Sequence, residues 1–203
     1  MTSTFSEADR QHMSRALELA RRGLYTTDPN PRVGCVLVKN GNAVGEGWHE
    51  RAGGPHAEAA ALAAAGDAAR GSTAYVTLEP CDHHGRTPPC SLALVAAGVS
   101  RVVYTIDDPN PAVAGNGAAR LRAQGIVVES GLMAAEAEAL NPGYLKRRRT
   151  GRPFVRVKVA ASLDGRTALA SGESRWITSK VARNDAQYFR ARSSVVLTGI
   201  GTV

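Results

Sequence analysis

Apolar and polar positions along the chain follow two periods, and each period predicts a different kind of element. The segment Ser6-Glu7-Ala8-Asp9 has the residue types of a helix start. After it, apolar residues recur at helical spacing, at Met13, Ala16, Leu17, Ala20 and Leu24. The sequence therefore predicts an N-terminal helix that buries one face.

Short apolar runs bounded by turn residues predict strands at 33–38, 43–49, 73–78, 101–106 and 126–129. Asn40-Gly41 between the first two runs is a strong signal for a hairpin turn. Helical stretches at 57–65, 91–97 and 117–124 alternate with the later strands. Because a hairpin is followed by alternating strands and helices, we expect an α/β fold with a mixed sheet covered on both faces.

The C-terminal part of the chain predicts a second, smaller unit. A helix over 132–146 is interrupted by Asn141-Pro142-Gly143, and the basic run 146–149 with Gly151-Arg152-Pro153 suggests a linker. Strands are predicted at 154–160 and 195–198, and Ser179 can cap a helix that runs to about Arg192. Two strands and a helix cannot bury a core alone. Residues 151–203 should therefore pack on the first unit or a partner, or begin a larger domain, and we place the domains at 1–147 and 148–203.

Composition limits the class of protein. Hydrophobic residues make up 43% of the 203 positions and charged residues 21%, as is ordinary for a soluble globular protein. No apolar run approaches the roughly 20 residues that cross a bilayer, and residues 1–10 lack the apolar core of a signal peptide. These features predict a cytoplasmic protein with no membrane partner.

The chemistry is concentrated in His56-Ala57-Glu58, Pro80-Cys81 and Pro89-Cys90. One imidazole and two thiols can hold Zn²⁺ and leave a fourth position open, as in catalytic zinc sites. Glu58 need not be a ligand and can move protons beside the metal. A single His or Cys is usually structural, but the combination is typical of zinc-dependent base deaminases.

The spacing of the thiols leaves some alternatives open. Many base deaminases separate the two cysteines by two residues, whereas eight residues separate Cys81 from Cys90 here. His83 and His84 in this loop are rival ligands, although a helix start favours a thiolate at Cys90. The third cysteine, Cys35, lies in an apolar run and is interpreted as a buried strand residue.

The formal net charge of +7 indicates an anionic ligand without identifying it. The run 146–149 is basic, but only Tyr144 lies close enough to act as an interleaved aromatic residue, so a base-stacking surface is not indicated. A phosphorylated small molecule is the preferred partner, with no nucleic acid. A deaminase that acts on a base in RNA is the alternative, and a non-catalytic zinc-stabilised interaction module is a third reading.

Several longer motifs together resemble the bifunctional riboflavin-biosynthesis deaminase/reductase family. They lie at 30–34, 53–58, 77–90, 108–111 and 158–166, and the resemblance covers essentially the whole chain. The long loop between the cysteines is the form that this family has. The resemblance implies a three-layer, cytidine-deaminase-like domain with a mixed sheet, followed by the start of a dihydrofolate-reductase-like α/β domain.

The resemblance also implies two reactions. The first domain would hydrolytically deaminate 2,5-diamino-6-ribosylamino-4(3H)-pyrimidinone 5′-phosphate, and the second would use NADPH to reduce the ribosyl chain of the product. Matching positions imply zinc ligands at His56, Cys81 and Cys90, and a proton shuttle at Glu58. They imply deaminase substrate contacts at Asn30, His49, His83 and Arg86. They imply NADP contacts at Ala160, Trp176 and Thr202, and reductase substrate contacts at Ser174 and Arg190.

Local chemistry supports some of these roles and leaves others to the resemblance alone. Asn30 can donate and accept hydrogen bonds, which suits a pyrimidine edge, although it also suits a turn before Pro31. Arg86 suits a phosphate, although it can equally be a solvated loop charge. The reductase of the family continues beyond Val203, so we expect this chain to deaminate without reducing. We also expect a homo-oligomer.

Overall fold

The computed structural model describes residues 5–83, 88–111 and 113–200 of the 203-residue chain. They form two compact units, of which one ends at Phe154 and the other begins at Val155. Among these residues no helix combines the length and the apolar character that crossing a membrane requires.

A five-stranded mixed sheet organises the first unit. The strands are β1 (Gly34–Lys39), β2 (Asn42–Trp48), β3 (Thr73–Val76), β4 (Arg101–Tyr104) and β5 (Val127–Ser130). Their order across the sheet is β2-β1-β3-β4-β5. Strand β1 pairs antiparallel with β2 and β3, whereas β3, β4 and β5 are parallel. The predicted mixed sheet is therefore confirmed.

Six helices accompany this sheet in the described part of the first unit. They are α1 (Glu7–Arg21), α2 (Ala57–Ala65), α3 (Cys90–Ala96), α4 (Asn116–Ala123), α5 (Ala134–Leu140) and α6 (Pro142–Thr150), with a 3₁₀ turn at Gly66–Ala69. Helix α1 begins at a capping box, in which Ser6 and Asp9 satisfy each other's backbone N–H groups. Its residues Met13 and Leu19 pack with Val36 and Tyr75 on one face of the sheet.

The other face of the sheet carries α2, α3 and α4, whose apolar residues form the largest core cluster with β1, β3 and β4. Strand β2 meets α2 at very short range. A Cβ at Gly45 would lie 2.3 Å from the carbonyl oxygen of Ala61, and one at Gly47 would lie 2.5 Å from that of Ala57. Glycine on the strand and alanine on the helix therefore allow the close approach that fixes the start of α2.

The predicted hairpin turn is confirmed. Asn40 and Gly41 both have positive φ angles, 53° and 79°. This pair of angles is typical of a type I′ turn, whose twist matches that of the flanking strands. Lys39 consequently pairs with Asn42 as the last residues of the β1–β2 ladder.

The prediction of a linker at the basic run was wrong. Residues 146–149 lie inside α6, which begins at Pro142 and ends at Thr150, followed by Gly151 in the left-handed region. Proline suits the first position of a helix because the missing N–H would have no partner there. The side chains of Arg147, Arg148 and Arg149 fall in the last turn, where they interact favourably with the helix dipole.

In the second unit the predicted helix is confirmed, and the predicted strands are not found. Helix α7 (Lys180–Ala191) begins at Ser179, whose side chain accepts from the backbone N–H of Ala182. Among the described residues 155–200, the segments 155–160 and 195–198 form no β-strand. A strand needs a hydrogen-bonding partner, and Val157, at 80% exposure, shows that this part of the chain is uncovered.

Candidate active site

Three side chains from separate segments converge beyond the end of strand β3. His56 immediately precedes α2, Cys81 follows β3, and Cys90 is the first residue of α3. Nδ1 of His56 lies 3.3 Å from Sγ of Cys90 and 3.5 Å from Sγ of Cys81. All three ligand atoms lie within 4.8 Å of one another. The structure thus brings together the three residues that the sequence nominated as metal ligands.

The distances suit zinc. Zinc–nitrogen and zinc–sulfur bonds of about 2.0 and 2.3 Å at a tetrahedral angle place nitrogen and sulfur roughly 3.5 Å apart. The separations of 3.3 and 3.5 Å agree with this value. His83 does not belong to the group, and His84 lies outside the described residues. One imidazole with two thiols is a donor set that zinc prefers.

The two thiols share a hydrogen bond that makes one of them acidic. The side chain of Cys90 is the largest influence on Cys81, and it lowers the pKa of that thiol well below its usual range. The same interaction raises the pKa of Cys90. The backbone N–H of Cys90, at the start of α3, also donates to Sγ of Cys81 over 3.4 Å. A thiolate ready to bind a metal is therefore stabilised at Cys81.

Glu58 lies beside this group in the first turn of α2 and is only 4% exposed. Burial raises the pKa of the Glu58 carboxyl to about 7, and the nearby Cys81 charge adds to this effect. A hydrogen bond from Cys90 opposes it. Because its pKa lies near neutrality, Glu58 can both accept and release a proton there.

Asn30 and His49 form a second pair at the same site. Nδ1 of His49 lies 2.9 Å from the carbonyl oxygen of Pro55, so that nitrogen donates. Nε2 of the ring then accepts from Nδ2 of Asn30 over 3.1 Å. Burial lowers the pKa of His49, which favours the neutral ring that this arrangement needs. The Asn30 amide retains a carbonyl oxygen and a second N–H for hydrogen bonding.

These groups line one pocket of about 140 Å³. Its wall contains Asn30, His49, His56, Glu58, Cys81 and His83 among the residues nominated from the sequence. Nδ1 of His83 is buried and has no hydrogen-bond partner among the described residues. A buried polar atom without a hydrogen bond lowers stability unless a ligand or water supplies that bond, so the pocket is suited to a polar ligand.

The pocket also contains residues for which the sequence supplied no role: Glu79, Asp108, Asn110, Tyr144 and Arg148. The hydroxyl of Tyr144 donates to both carboxylate oxygens of Asp108, over 2.8 and 3.0 Å. Burial raises the pKa of Asp108. The sequence contains a weak indication of the role of Asp108 and Asn110. An acid and an amide just after a buried strand often face a ligand at the carboxyl end of that strand.

Asn141 supports the Asn30 segment from a distance of more than a hundred residues in sequence. Its side chain accepts from the backbone N–H of Arg32 over 2.8 Å and donates to the carbonyl oxygen of Arg32 over 2.9 Å. Asn141 is completely buried. The residue that appeared in the sequence as a helix breaker therefore also anchors the loop that carries Asn30.

The remaining nominated residues lie elsewhere. Arg86 and Thr202 fall outside the described residues. In the second unit Ala160 is half-buried, whereas Trp176, Ser174 and Arg190 are exposed. The guanidinium of Arg183 lies 4.2 Å from the ring centre of Trp176. The reductase roles of Ala160, Trp176, Thr202, Ser174 and Arg190 stay predictions.

Comparisons with known proteins agree with this arrangement. Residues 6–106 match the cytidine and deoxycytidylate deaminase zinc-binding region, and residues 153–203 match the RibD C-terminal domain. The riboflavin biosynthesis protein RibD of Escherichia coli is 63% identical over 195 residues, which are 96% of this chain and 53% of that protein. A diaminohydroxyphosphoribosylamino-pyrimidine deaminase of Buchnera aphidicola is 55% identical over 142 residues, which are 70% of this chain and 97% of that protein.

A solved structure of Acinetobacter baumannii RibD has the same fold. It superimposes with a TM-score of 0.90 at 57% identity and covers 97% of this chain and 55% of that one. This chain therefore spans about half the length of the RibD proteins that it matches.

Proposed function

The chain belongs to the riboflavin-biosynthesis deaminase/reductase family, and on this premise we propose that it hydrolytically deaminates a phosphorylated diaminopyrimidinone. The carrying observation is the convergence of His56, Cys81 and Cys90 within 4.8 Å beside the buried acid Glu58. Three protein ligands with a neighbouring proton carrier are what hydrolytic removal of an amine requires.

His56, Cys81 and Cys90 would hold Zn²⁺. The metal, when bound, supplies an acidified water, since it lowers the pKa of water from 15.7 to about 7. Glu58 takes a proton from the attacking water and delivers it to the amino nitrogen on the same ring carbon. The carbon–nitrogen bond then breaks with departure of ammonia, because a protonated nitrogen is a far better leaving group than an amide anion.

The rest of the pocket wall suits the pyrimidine. Asn30, held by His49, offers a donor and an acceptor to the ring edge. His83 offers Nδ1, which has no hydrogen-bond partner within the described part of the chain. Asp108, oriented by Tyr144, offers carboxylate oxygens to ring or exocyclic N–H groups. Asn30, His83 and Asp108 would together select a polar ring that carries both donors and acceptors.

A phosphate on the substrate needs a cation. Arg86 is our nominee from the sequence, and Arg148 on α6 is a second candidate that lines the pocket. The guanidinium of Arg148 lies 5.5 Å from the ring centre of Tyr144, whose hydroxyl binds the carboxylate of Asp108. A guanidinium binds phosphate oxygens through two parallel N–H bonds.

The reductase activity is proposed separately from the deaminase activity. Residues 153–203 match the RibD C-terminal domain. We propose that a protein containing the whole domain reduces the ribosyl chain with NADPH. A base in RNA, the alternative substrate, is not favoured, since the relatives that cover nearly the whole chain are riboflavin-biosynthesis proteins. A cytoplasmic location and a homo-oligomeric state complete the proposal.

The test pairs metal analysis with product analysis. The purified chain is expected to contain about one zinc per molecule and to release ammonia from 2,5-diamino-6-ribosylamino-4(3H)-pyrimidinone 5′-phosphate. Zinc without ammonia release would instead support a non-catalytic zinc module. Strong salt-dependent binding to transfer RNA, together with deamination of that RNA, would support the alternative substrate.

A further inference from the structure

Glu79 is a buried carboxylate that takes no part in the proton transfer proposed for Glu58. It lies three residues after β3 and two residues before Cys81, and it is 3% exposed. Its Oε2 accepts from the backbone N–H of Gly115 over 3.0 Å and from that of Asp108 over 3.3 Å. Its Oε1 accepts from the backbone N–H of Ala118 over 3.2 Å. Three backbone donors therefore converge on one side chain from a different segment.

These bonds replace the cap that α4 lacks. Gly115 precedes the helix with no side chain of its own to bind the first N–H groups. The Glu79 carboxylate accepts from the N–H of Ala118 in the first turn and from that of Gly115 itself, and its charge is favourable at a helix N-terminus. The helix start also presses against the same segment, because a Cβ at Gly117 would lie 1.8 Å from the carbonyl oxygen of Pro80.

The segment that Glu79 holds carries two residues of the pocket wall. Asp108 and Asn110 lie between β4 and α4, and both line the pocket. Glu79 lies on the same short segment as Cys81. One side chain thus joins the segment of the metal ligand Cys81 to the segment that brings Asp108 and Asn110 to the pocket wall.

We infer that Glu79 is a positioning residue that sets the distance between the His56–Cys81–Cys90 group and the substrate-recognition segment at Asp108. The inference rests on the proposed function and assigns substrate alignment to a side chain that does no chemistry. Glutamate is required because a carboxylate accepts at both oxygens. A glutamine of the same shape turns an N–H₂ group toward at least one backbone donor.

The test is Glu79→Gln in the full chain, with Asp9→Asn as the matched control. Asp9 is also a buried carboxylate that caps a helix and accepts several hydrogen bonds, but it lies in α1 and does not line the pocket. Both variants should lower the thermal unfolding midpoint. Only E79Q should raise KM, on the order of tenfold, which corresponds to about 1.4 kcal/mol. Its kcat per bound zinc should change by less than about threefold.

A purely structural role would lower the unfolding midpoint of E79Q and leave KM unchanged at 25 °C, and this result would overturn the inference. Amide hydrogen exchange supplies a readout that does not depend on turnover. In E79Q the backbone N–H groups of Asp108, Gly115 and Ala118 should exchange faster than in the wild type. If the wild type itself releases no ammonia, the proposed deamination fails, and unchanged exchange at these three amides separately refutes the role of Glu79.

Discussion

Replacing Glu58 by glutamine separates its chemistry from its place in the fold. The side chain is 4% exposed and lies beside Cys81 and Cys90 at the start of α2. Glutamine has nearly the same size and still offers a carbonyl oxygen to the hydrogen bond from Cys90. It can no longer accept a proton from water and pass it to the departing nitrogen.

The expected loss of activity follows from this single missing step. A positioned general acid–base contributes roughly 10²–10⁴-fold to a reaction, so kcat should fall by that factor, or by about 3–5 kcal/mol in the activation free energy. Stability should not fall. Burial raises the pKa of Glu58 to about 7 because the charged form is poorly solvated there. A neutral amide avoids the desolvation cost of a charge.

Three measurements on one preparation decide the matter: ammonia release, zinc content and the urea midpoint at pH 8. Glu46→Gln is the matched control, since Glu46 lies on β2, binds Arg15 over 2.8 Å and does not line the pocket. E58Q should keep zinc and its urea midpoint but lose activity, while E46Q should stay active. Activity in E58Q within about threefold of the wild type would refute the proton-transfer role.

Three further outcomes follow from individual contacts. Arg148→Gln should raise KM for the phosphorylated substrate about tenfold and leave KM for the dephosphorylated nucleoside unchanged; equal effects on both would exclude a phosphate contact. Asp9→Asn should cost about 1–3 kcal/mol at pH 7, because burial alone would raise the pKa of Asp9 but bonds from Arg101 and other partners hold it well below its usual range. A carboxyl with a depressed pKa contributes fully above its unfolded-state pKa, near pH 4, and loses the contribution only as pH falls through the lower folded-state pKa. The gap between the urea midpoints of D9N and wild type should therefore begin to narrow below about pH 4, remain mostly open at about pH 3 and narrow further toward about pH 2, and a gap that stays constant from about pH 7 to about pH 2 would contradict this account. Gly117→Ala should destabilise the protein by about 1–3 kcal/mol, because the added carbon clashes with the carbonyl oxygen of Pro80. Gly143→Ala has nothing within 4 Å of the added carbon and should be neutral or stabilising. Equal effects of the two substitutions would refute this steric explanation.

The metal group was predictable because each ligand is marked by its immediate neighbours. His56 opens an alanine-rich helix, Cys81 follows a buried strand, and Cys90 opens a helix. The thiol and imidazole chemistry restricts the choice of metal before any fold is known. The Asn40-Gly41 turn was predictable for a similar reason, since few residues other than asparagine and glycine tolerate two consecutive positive φ angles.

Other elements were misjudged because their structure depends on what surrounds them. The basic run was predicted as a linker, yet it continues a helix that Pro142 starts and Gly151 ends. The strands predicted at 154–160 and 195–198 have the right residue types. No strand forms there among the described residues of the second unit, since a strand requires a neighbour to accept its hydrogen bonds.

The sequence by itself predicted the metal-ligand residues, the mixed α/β pattern and the type of reaction that we propose, because these depend on residue types within short segments. Only the tertiary structure decided that Glu79 binds the segment of Asp108, and that Tyr144 and Arg148 reach the same pocket from α6. Such contacts join residues that are 29 to 36 positions apart. They depend on strand order and on how closely helices approach the sheet, and those distances are set by packing of the whole core.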